Sequence, residues 1–346
     1  MIGREMSERK LGSGTRGAGR RLAAIVGLAA MVVGACAGGQ KPVQEPTGEP
    51  SLQQEDDGAA APASSAKVQE GIDAIEGGDF ADAKAILTEA QAAAPDDPQA
   101  AYYLGVACEG LGETDEALVQ YRKALQLDPK LLEASVNSSA ILIDAGRGEE
   151  AAEIVEAALA QAPDDANLLI NHALALEALG DHVGAVKAYA KAVEKSPDNV
   201  ELRFGYAENL AAAGQTDAAR EQFEKVLAGT QDIQLIVGAA QGLQQTGAPE
   251  RCVAVLDKVV AGDPSPHLVV RRGRCKQAAR DLKGAIADYR EALKRDANFA
   301  PAHYYLGVAL LEQGQKAEGR KALTKAAEIG KGTPFEGMAQ EALKKP

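Results

Sequence analysis

Tryptophan is missing from all 346 residues, aromatic side chains make up only 4% of them, and cysteine occurs four times. Four cysteines are too few for a disulfide scaffold, and their spacing matches no zinc site. Positive charge is also short: 37 Lys and Arg stand against 50 Asp and Glu, a formal net charge of −13. A chain this acidic lacks the basic face with which proteins hold nucleic acid. What remains is 46% hydrophobic and 25% charged, with much Ala, Leu, Glu and Lys. Such a composition can bury a core and favours helices packed through small side chains.

Catalytic chemistry is equally scarce. His172, His182, His267 and His303 stand alone, and none has the His-Glu-x-x-His spacing of a zinc hydrolase. His172 lies one residue before a small position, which suits the edge of a core. No phosphate-binding Gly-Lys-Ser/Thr loop occurs. Gly12 to Gly17 matches the dinucleotide fingerprint in form only, because no strand precedes it. The expectation is a protein with no catalytic residue, no metal and no cofactor.

The first residues read as an address. Residues 1–21 carry six basic and two acidic groups, and an uncharged apolar run, Leu22 to Ala35, follows. Fourteen residues are too few to span a bilayer as a helix and suit a signal-peptide core. The run ends in Val33-Gly34-Ala35-Cys36, which resembles the bacterial lipobox. That resemblance implies residues 1–35 as a cleaved signal and Cys36 as the lipidated residue. Ala37, where an inner-membrane retention Asp would stand, implies the outer membrane, with the protein facing the periplasm. Removing a segment of charge +4 leaves −17, so anionic lipid would repel the remainder and the acyl chains must hold it. Residues 36–63, with four prolines, small polar residues and Glu55-Asp56-Asp57, show no apolar periodicity and are expected to be a disordered tether. At 27 residues beyond the cysteine it would average roughly 30 Å end to end.

From Ser64 to Thr333 the chain repeats, with units beginning at Ser64, Pro98, Leu132, Ala166, Val200, Ile233, Pro266 and Ala300. Six units have 34 residues and two have 33. The eighth place is always small (Gly71, Gly105, Ser139, Ala173, Ala207, Ala240, Gly273, Gly307), and so is the twentieth (Ala83, Ala117, Ala151, Ala185, Ala219, Cys252, Ala285, Gly319). Two helices approach closely only where neither carries bulk, so these columns mark an antiparallel crossing inside each unit. The twenty-fourth place, on the same face as the twentieth, is always apolar: Leu87, Tyr121, Val155, Tyr189, Phe223, Leu256, Tyr289 and Leu323. The fifteenth is Gly in seven units and Arg280 in the other, the stop of a first helix.

These columns resemble the tetratricopeptide repeat, although that family's Trp near the start of the first helix is missing throughout. The resemblance implies an all-α, right-handed α-solenoid of about eight helix-turn-helix units over residues 64–333. Residues 334–346, with Phe335, Met338 and Leu343, are read as a capping helix on the last apolar face. The resemblance also implies a concave groove lined by places two, five, six, nine and twelve of the first helices. Val68, Ile72, Ile75, Tyr102, Val106, Val136, Ile143, Ile170, Leu174 and Phe204 fall on those places. Either they form a docking surface for an apolar or amphipathic segment, or they touch neighbouring first helices as core. Asn137 and Asn171 share the sixth place and are expected either to stack as a short amide ladder for an extended peptide or to lie exposed without a role.

The seventh unit departs from the others in Val270-Arg271-Arg272-Gly273-Arg274-Cys275-Lys276. This cationic cluster either pairs with acids of adjacent units or meets an anionic partner, with Arg271 and Arg274 facing the groove toward an acidic segment. Cys252 and Cys275 fall on adjacent helices, which permits a bridge. Cys252 fills a column where Ala is usual, so the sequence favours buried free thiols. The functional expectation is a non-catalytic adaptor, tethered to the outer membrane by its lipid and holding a segment of an envelope protein in pilus, secretion or motility assembly. A recruiter of a periplasmic peptidase or cell-wall hydrolase, and a self-associating spacer, are the alternatives; the oligomeric state is open.

Overall fold

A computed structural model describes residues 61–344; the signal, Cys36 and the tether up to residue 60 lie outside the described residues. Those residues fall into two compact units, 61–196 and 197–344. Seventeen helices and no strand occur among them. The first unit runs α1 (Ala61–Glu76), α2 (Phe80–Ala93), α3 (Pro98–Gly110), α4 (Thr114–Leu127), α5 (Leu132–Asp144), α6 (Gly148–Leu159), α7 (Ala166–Ala178) and α8 (His182–Lys195). The second runs α9 (Val200–Ala212), α10 (Thr216–Gly229), α11 (Ile233–Gln245), α12 (Pro249–Gly262), α13 (Pro266–Ala278), α14 (Leu282–Arg295), α15 (Ala300–Glu312), α16 (Lys316–Ile329) and α17 (Pro334–Lys344). Each unit thus holds four antiparallel hairpins, and within a unit each second helix packs on the first helix that follows it. The fold is an all-α solenoid of tetratricopeptide type.

Local chemistry sets the helix ends. Asp97, Asp165, Asp181, Asn199, Asp232 and Asp281 accept from backbone N–H groups in the first turn of the helix that follows, satisfying donors that have no intrahelical partner. The first helices stop where the fifteenth place turns left-handed. Gly112, for instance, has φ +75° while the N–H of Glu113 donates to the carbonyl of Cys108 at 2.9 Å. Arg280 holds the same turn at φ +64° and is the non-glycine residue with positive φ among the described residues. A Cβ in that region costs about 1–2 kcal/mol.

The small columns do what their size suggests. A Cβ added to Gly105 would lie 2.6 Å from the Tyr121 ring, so the missing side chain is the space the ring fills. All eight residues of the twenty-fourth column are at most 1% exposed. Burying each such side chain stabilises a hairpin by about 1.5–3 kcal/mol. The cap is present as α17, which lies on α15 and α16 with Ala339 fully buried and Phe335 against Tyr304 and Tyr305.

Two expectations need correction. Helix α1 starts at Ala61, inside the span read as tether, since Pro62 stands in a first turn where no backbone donor is needed. Cys252 and Cys275 are also not free thiols: they form a disulfide between α12 and α13, with Cα atoms 5.8 Å apart and both residues fully buried. Here the twentieth place of the sixth repeat faces the tenth place of the seventh. Ala107, Ala175 and Ala309 hold the tenth place elsewhere and are likewise fully buried. Ile141 and Asn209 hold the same place in other repeats, so the tenth place is not small throughout, but in the seventh a cysteine fits against the small twentieth place of the sixth. Cys108 remains a buried free thiol, its pKa pushed up by burial.

Candidate partner-binding site

In the first unit most of the polar groups placed on the groove turn inward. Asn171 on α7 is fully buried; its Nδ2 donates to the Val136 carbonyl at 2.9 Å and to Ser139 Oγ at 2.8 Å, both on α5. It is a tie between first helices and offers no rung to a peptide. Asn137 is 7% exposed and donates to Tyr121 Oη at 3.3 Å and, more weakly, to Tyr102 Oη at 3.5 Å. The amide ladder is therefore corrected: both amide nitrogens donate within the fold while each Oδ1 is buried without a partner, and an exposed pair without a role is excluded as well. Val106, Val136, Ile143, Ile170 and Leu174 are buried too, so most of the expected apolar lining is core. Ile72 and Ile75 on α1 stay half-buried.

Tyr102 also stays partly open. It is half-buried on α3, its ring centroid 4.9 Å from Tyr103 and 5.8 Å from Tyr121. Burial pushes its hydroxyl well above the ordinary tyrosine value, so it stays protonated and able to donate at any physiological pH. Tyr103, which sequence reasoning treated only as a neighbour of the amide column, is half-buried beside it.

The second unit presents a different face. Phe204 on α9 is half-buried, with its ring 5.9 Å from Phe223 and against Gly238 of α11, where a Cβ would meet it at 2.8 Å. On α13 the four cations separate into two pairs. Arg272 donates twice to Asp288 of α14, at 2.8 and 2.7 Å, and Lys276 reaches the same carboxylate at 2.9 Å. Asp288 is 4% exposed, and Asp257 adds a contact to Arg272 at 3.1 Å. Lys276, which replaces an expected Leu, is thus explained by a buried ion network. Arg271 and Arg274 lie outside it. The Arg274 guanidinium sits 5.0 Å from the Tyr305 ring centroid, and burial together with Arg274 pushes Arg271 below its ordinary value.

One recurring element escaped sequence reasoning. Tyr121 donates to Glu109 at 2.6 Å, Tyr189 to Glu177 at 2.6 Å and Tyr289 to Gln277 at 2.9 Å. Each joins the twenty-fourth place to the twelfth of the same repeat. Where the twenty-fourth place is Leu87, Val155, Phe223 or Leu323, the twelfth is Ile75, Ile143, Ala211 or Leu311; the sixth unit departs, with Gln244 opposite Leu256. The signal was present as this paired change, because a buried phenol needs an acceptor and an aliphatic residue does not. Burial raises the Glu109 pKa, Asp144 raises it further, and the Tyr121 hydrogen bond opposes both.

No group of three or more His, Cys, Asp or Glu residues among the described residues could hold a metal ion. No helix among them is long and apolar enough to cross a membrane. An open cleft of about 640 Å³ beside α14, α15 and α16 is lined by Leu293, Leu306 and Leu310 with Lys321 and Lys325 at its edge. The exposed ion pairs Arg290–Glu318 and Lys325–Glu328 also line it.

Family models described as tetratricopeptide repeat match residues 77–231 and 301–329, and one described as TPR repeat matches 281–314. A tetratricopeptide repeat protein from Parabacteroides merdae is 22% identical, over 72% of this chain and 99% of that one, with a TM-score of 0.51. MamA from Desulfovibrio magneticus, 25% identical, covers 51% of this chain and 98% of its own at a TM-score of 0.45. Pseudomonas aeruginosa PilF is 19% identical, covering 60% and 95%, at 0.49. No curated protein matches the sequence. With the repeat period, the left-handed glycine stops and the stacked hairpins all agreeing with the matched models, the chain belongs to the tetratricopeptide repeat family.

Proposed function

We propose that this repeat array is a non-catalytic adaptor, carried on the periplasmic face of a bacterial outer membrane by lipid on Cys36, that holds a segment of an envelope protein during assembly of a pilus, secretion or motility complex. The family is one of protein-interaction scaffolds. The observation that carries the reading is the set of first-helix side chains left partly open after packing: Tyr102 and Tyr103 in one unit, Arg271, Arg274, Tyr304 and Tyr305 in the other. Aromatic and arginine side chains dominate interface energetics, since they offer large area or fixed donors at modest entropic cost.

The address rests on Val33-Gly34-Ala35-Cys36 and the uncharged run before it. The buried Cys252–Cys275 bridge supports an oxidising compartment. Mechanistically, acyl chains would localise the protein, the Pro-rich segment would give reach and the repeat faces would supply affinity.

The test is cross-linking of the native protein in intact cells, followed by identification of what is captured. Capture of one envelope complex that is lost in a folded Tyr102→Asp or Arg271→Gln/Arg274→Gln variant supports the adaptor. Capture of a second copy alone favours a spacer, and no specific capture counts against both binding faces. Metabolic labelling with a palmitate analogue is expected to mark the native chain and leave Cys36→Ala unlabelled.

A further inference from the structure

We infer that Arg271 and Arg274 on α13 form a seat for the carboxylate side chains of an acidic segment in the partner protein. This rests on the adaptor reading and names the chemistry one of its faces takes.

The argument starts from helical geometry. Arg272 and Lys276 are four residues apart and share one side of α13; Arg271 and Arg274 are three apart and share another. The first side meets Asp288, which accepts from both of its cations. The second side meets no carboxylate: neither Arg271 nor Arg274 has an ion pair among the described residues. This chain does provide acids where it needs them. Arg122 meets Glu150, Arg251 meets Glu224 and Arg290 meets Glu318, each across successive second helices. In a protein with 13 more acids than bases, two neighbouring arginines without an acid are therefore an exception.

Their placement is also unfavourable unless something else arrives. Two guanidiniums on one face repel, and both are partly withdrawn from water. The Arg274 guanidinium carbon lies over the Tyr305 ring, 5.0 Å from its centroid, a cation–π contact that holds the side chain without supplying a carboxylate. The planar guanidinium fork is suited to a carboxylate, which can accept two parallel hydrogen bonds. Tyr304, Tyr305 and Phe335 form a ring cluster beside the pair, with centroids 5.1 to 6.2 Å apart. That cluster would flank an apolar residue next to the acid. Two cations call for a segment with at least two carboxylates.

The experiment uses the full chain and three short, end-blocked fluorescent peptides, identical except that the ionisable positions are Glu, Gln or Lys. Fluorescence anisotropy is expected to show binding of the Glu peptide, weakened by high salt, and none of the Gln or Lys peptides. Arg271→Gln/Arg274→Gln is expected to weaken the Glu peptide roughly ten-fold or more. Arg271→Glu/Arg274→Glu is expected to transfer preference to the Lys peptide, a reversal that loss of folding would not produce. A thermal melt of each variant, which leaves the Asp288 network intact, checks the fold. Equal binding of all three peptides, or of none, overturns the seat. Binding only of a fourth peptide, the Gln version with its C-terminus unblocked, overturns the side-chain assignment, and affinity for the Glu peptide that rises when residues 37–60 are deleted overturns the partner segment as occupant in favour of the chain's own acidic residues. In cells, a captured complex that persists in Arg271→Gln/Arg274→Gln overturns the seat while the adaptor stands.

Discussion

Residues 61–196 and 197–344 are built from the same hairpin, yet they treat polar groups on their first helices differently. In the first unit Asn137 and Asn171 bond to α5 and to Tyr121, and Glu109 and Glu177 accept from core tyrosines. In the second, one pair of α13 cations is absorbed by Asp288 and the other pair has no acid. A groove position is therefore not in itself a binding position. What decides is whether the neighbouring repeat offers a complementary group at the right place.

The sharpest way to break the comparison is Asp288→Ala. It leaves the partly buried Arg272 and Lys276 without their shared carboxylate, Arg272 keeping only Asp257, and is expected to cost about 2–4 kcal/mol, read by urea denaturation of the second unit. Opening the Cys252–Cys275 bridge, by reductant or as Cys275→Ala, removes a constraint between residues 23 apart and is expected to cost about 2–4 kcal/mol. The first unit should be unmoved by either. Asn171→Ala tests that unit in turn; losing a buried two-acceptor tie is expected to cost about 1–2 kcal/mol without altering affinity for the acidic probe.

The smallest effect concerns pH. Burial holds the Glu109 carboxyl above the ordinary glutamate value, so the native state binds its proton more tightly than the unfolded chain does. The stabilisation is fully present below the unfolded value and is lost as pH rises through the folded one. Glu109→Gln keeps an acceptor for Tyr121, as Gln277 does for Tyr289, and removes that loss. It is expected to flatten stability across that window and to raise it at neutral pH by less than about 1 kcal/mol, checked by denaturation at a series of pH values.

The architecture was legible because packing imposes residue size at fixed intervals. Gly105 had to be small for Tyr121 to lie over it, and such a requirement survives in a sequence without any coordinates. Partnership was less legible. Cys252 was explained by its own column, and only the fold shows Cys275 facing it from the next repeat. Asn171 read as a surface amide because sequence gives the angle of a side chain on its helix and not the distance to the neighbouring helix. Arg271 and Arg274 were found as candidates by charge alone, but their separation from Arg272 and Lys276 needed the position of Asp288.

The core tyrosines have an optical consequence. With eight tyrosines and no tryptophan, all intrinsic emission of this protein comes from phenols. A phenol that donates to a carboxylate is quenched, whereas one that donates to an amide is quenched far less. Tyr121 and Tyr189 are of the first kind and Tyr289 is of the second. Unfolding of residues 61–196 should therefore release the quenching of Tyr121 and Tyr189 and appear as a rise in tyrosine fluorescence.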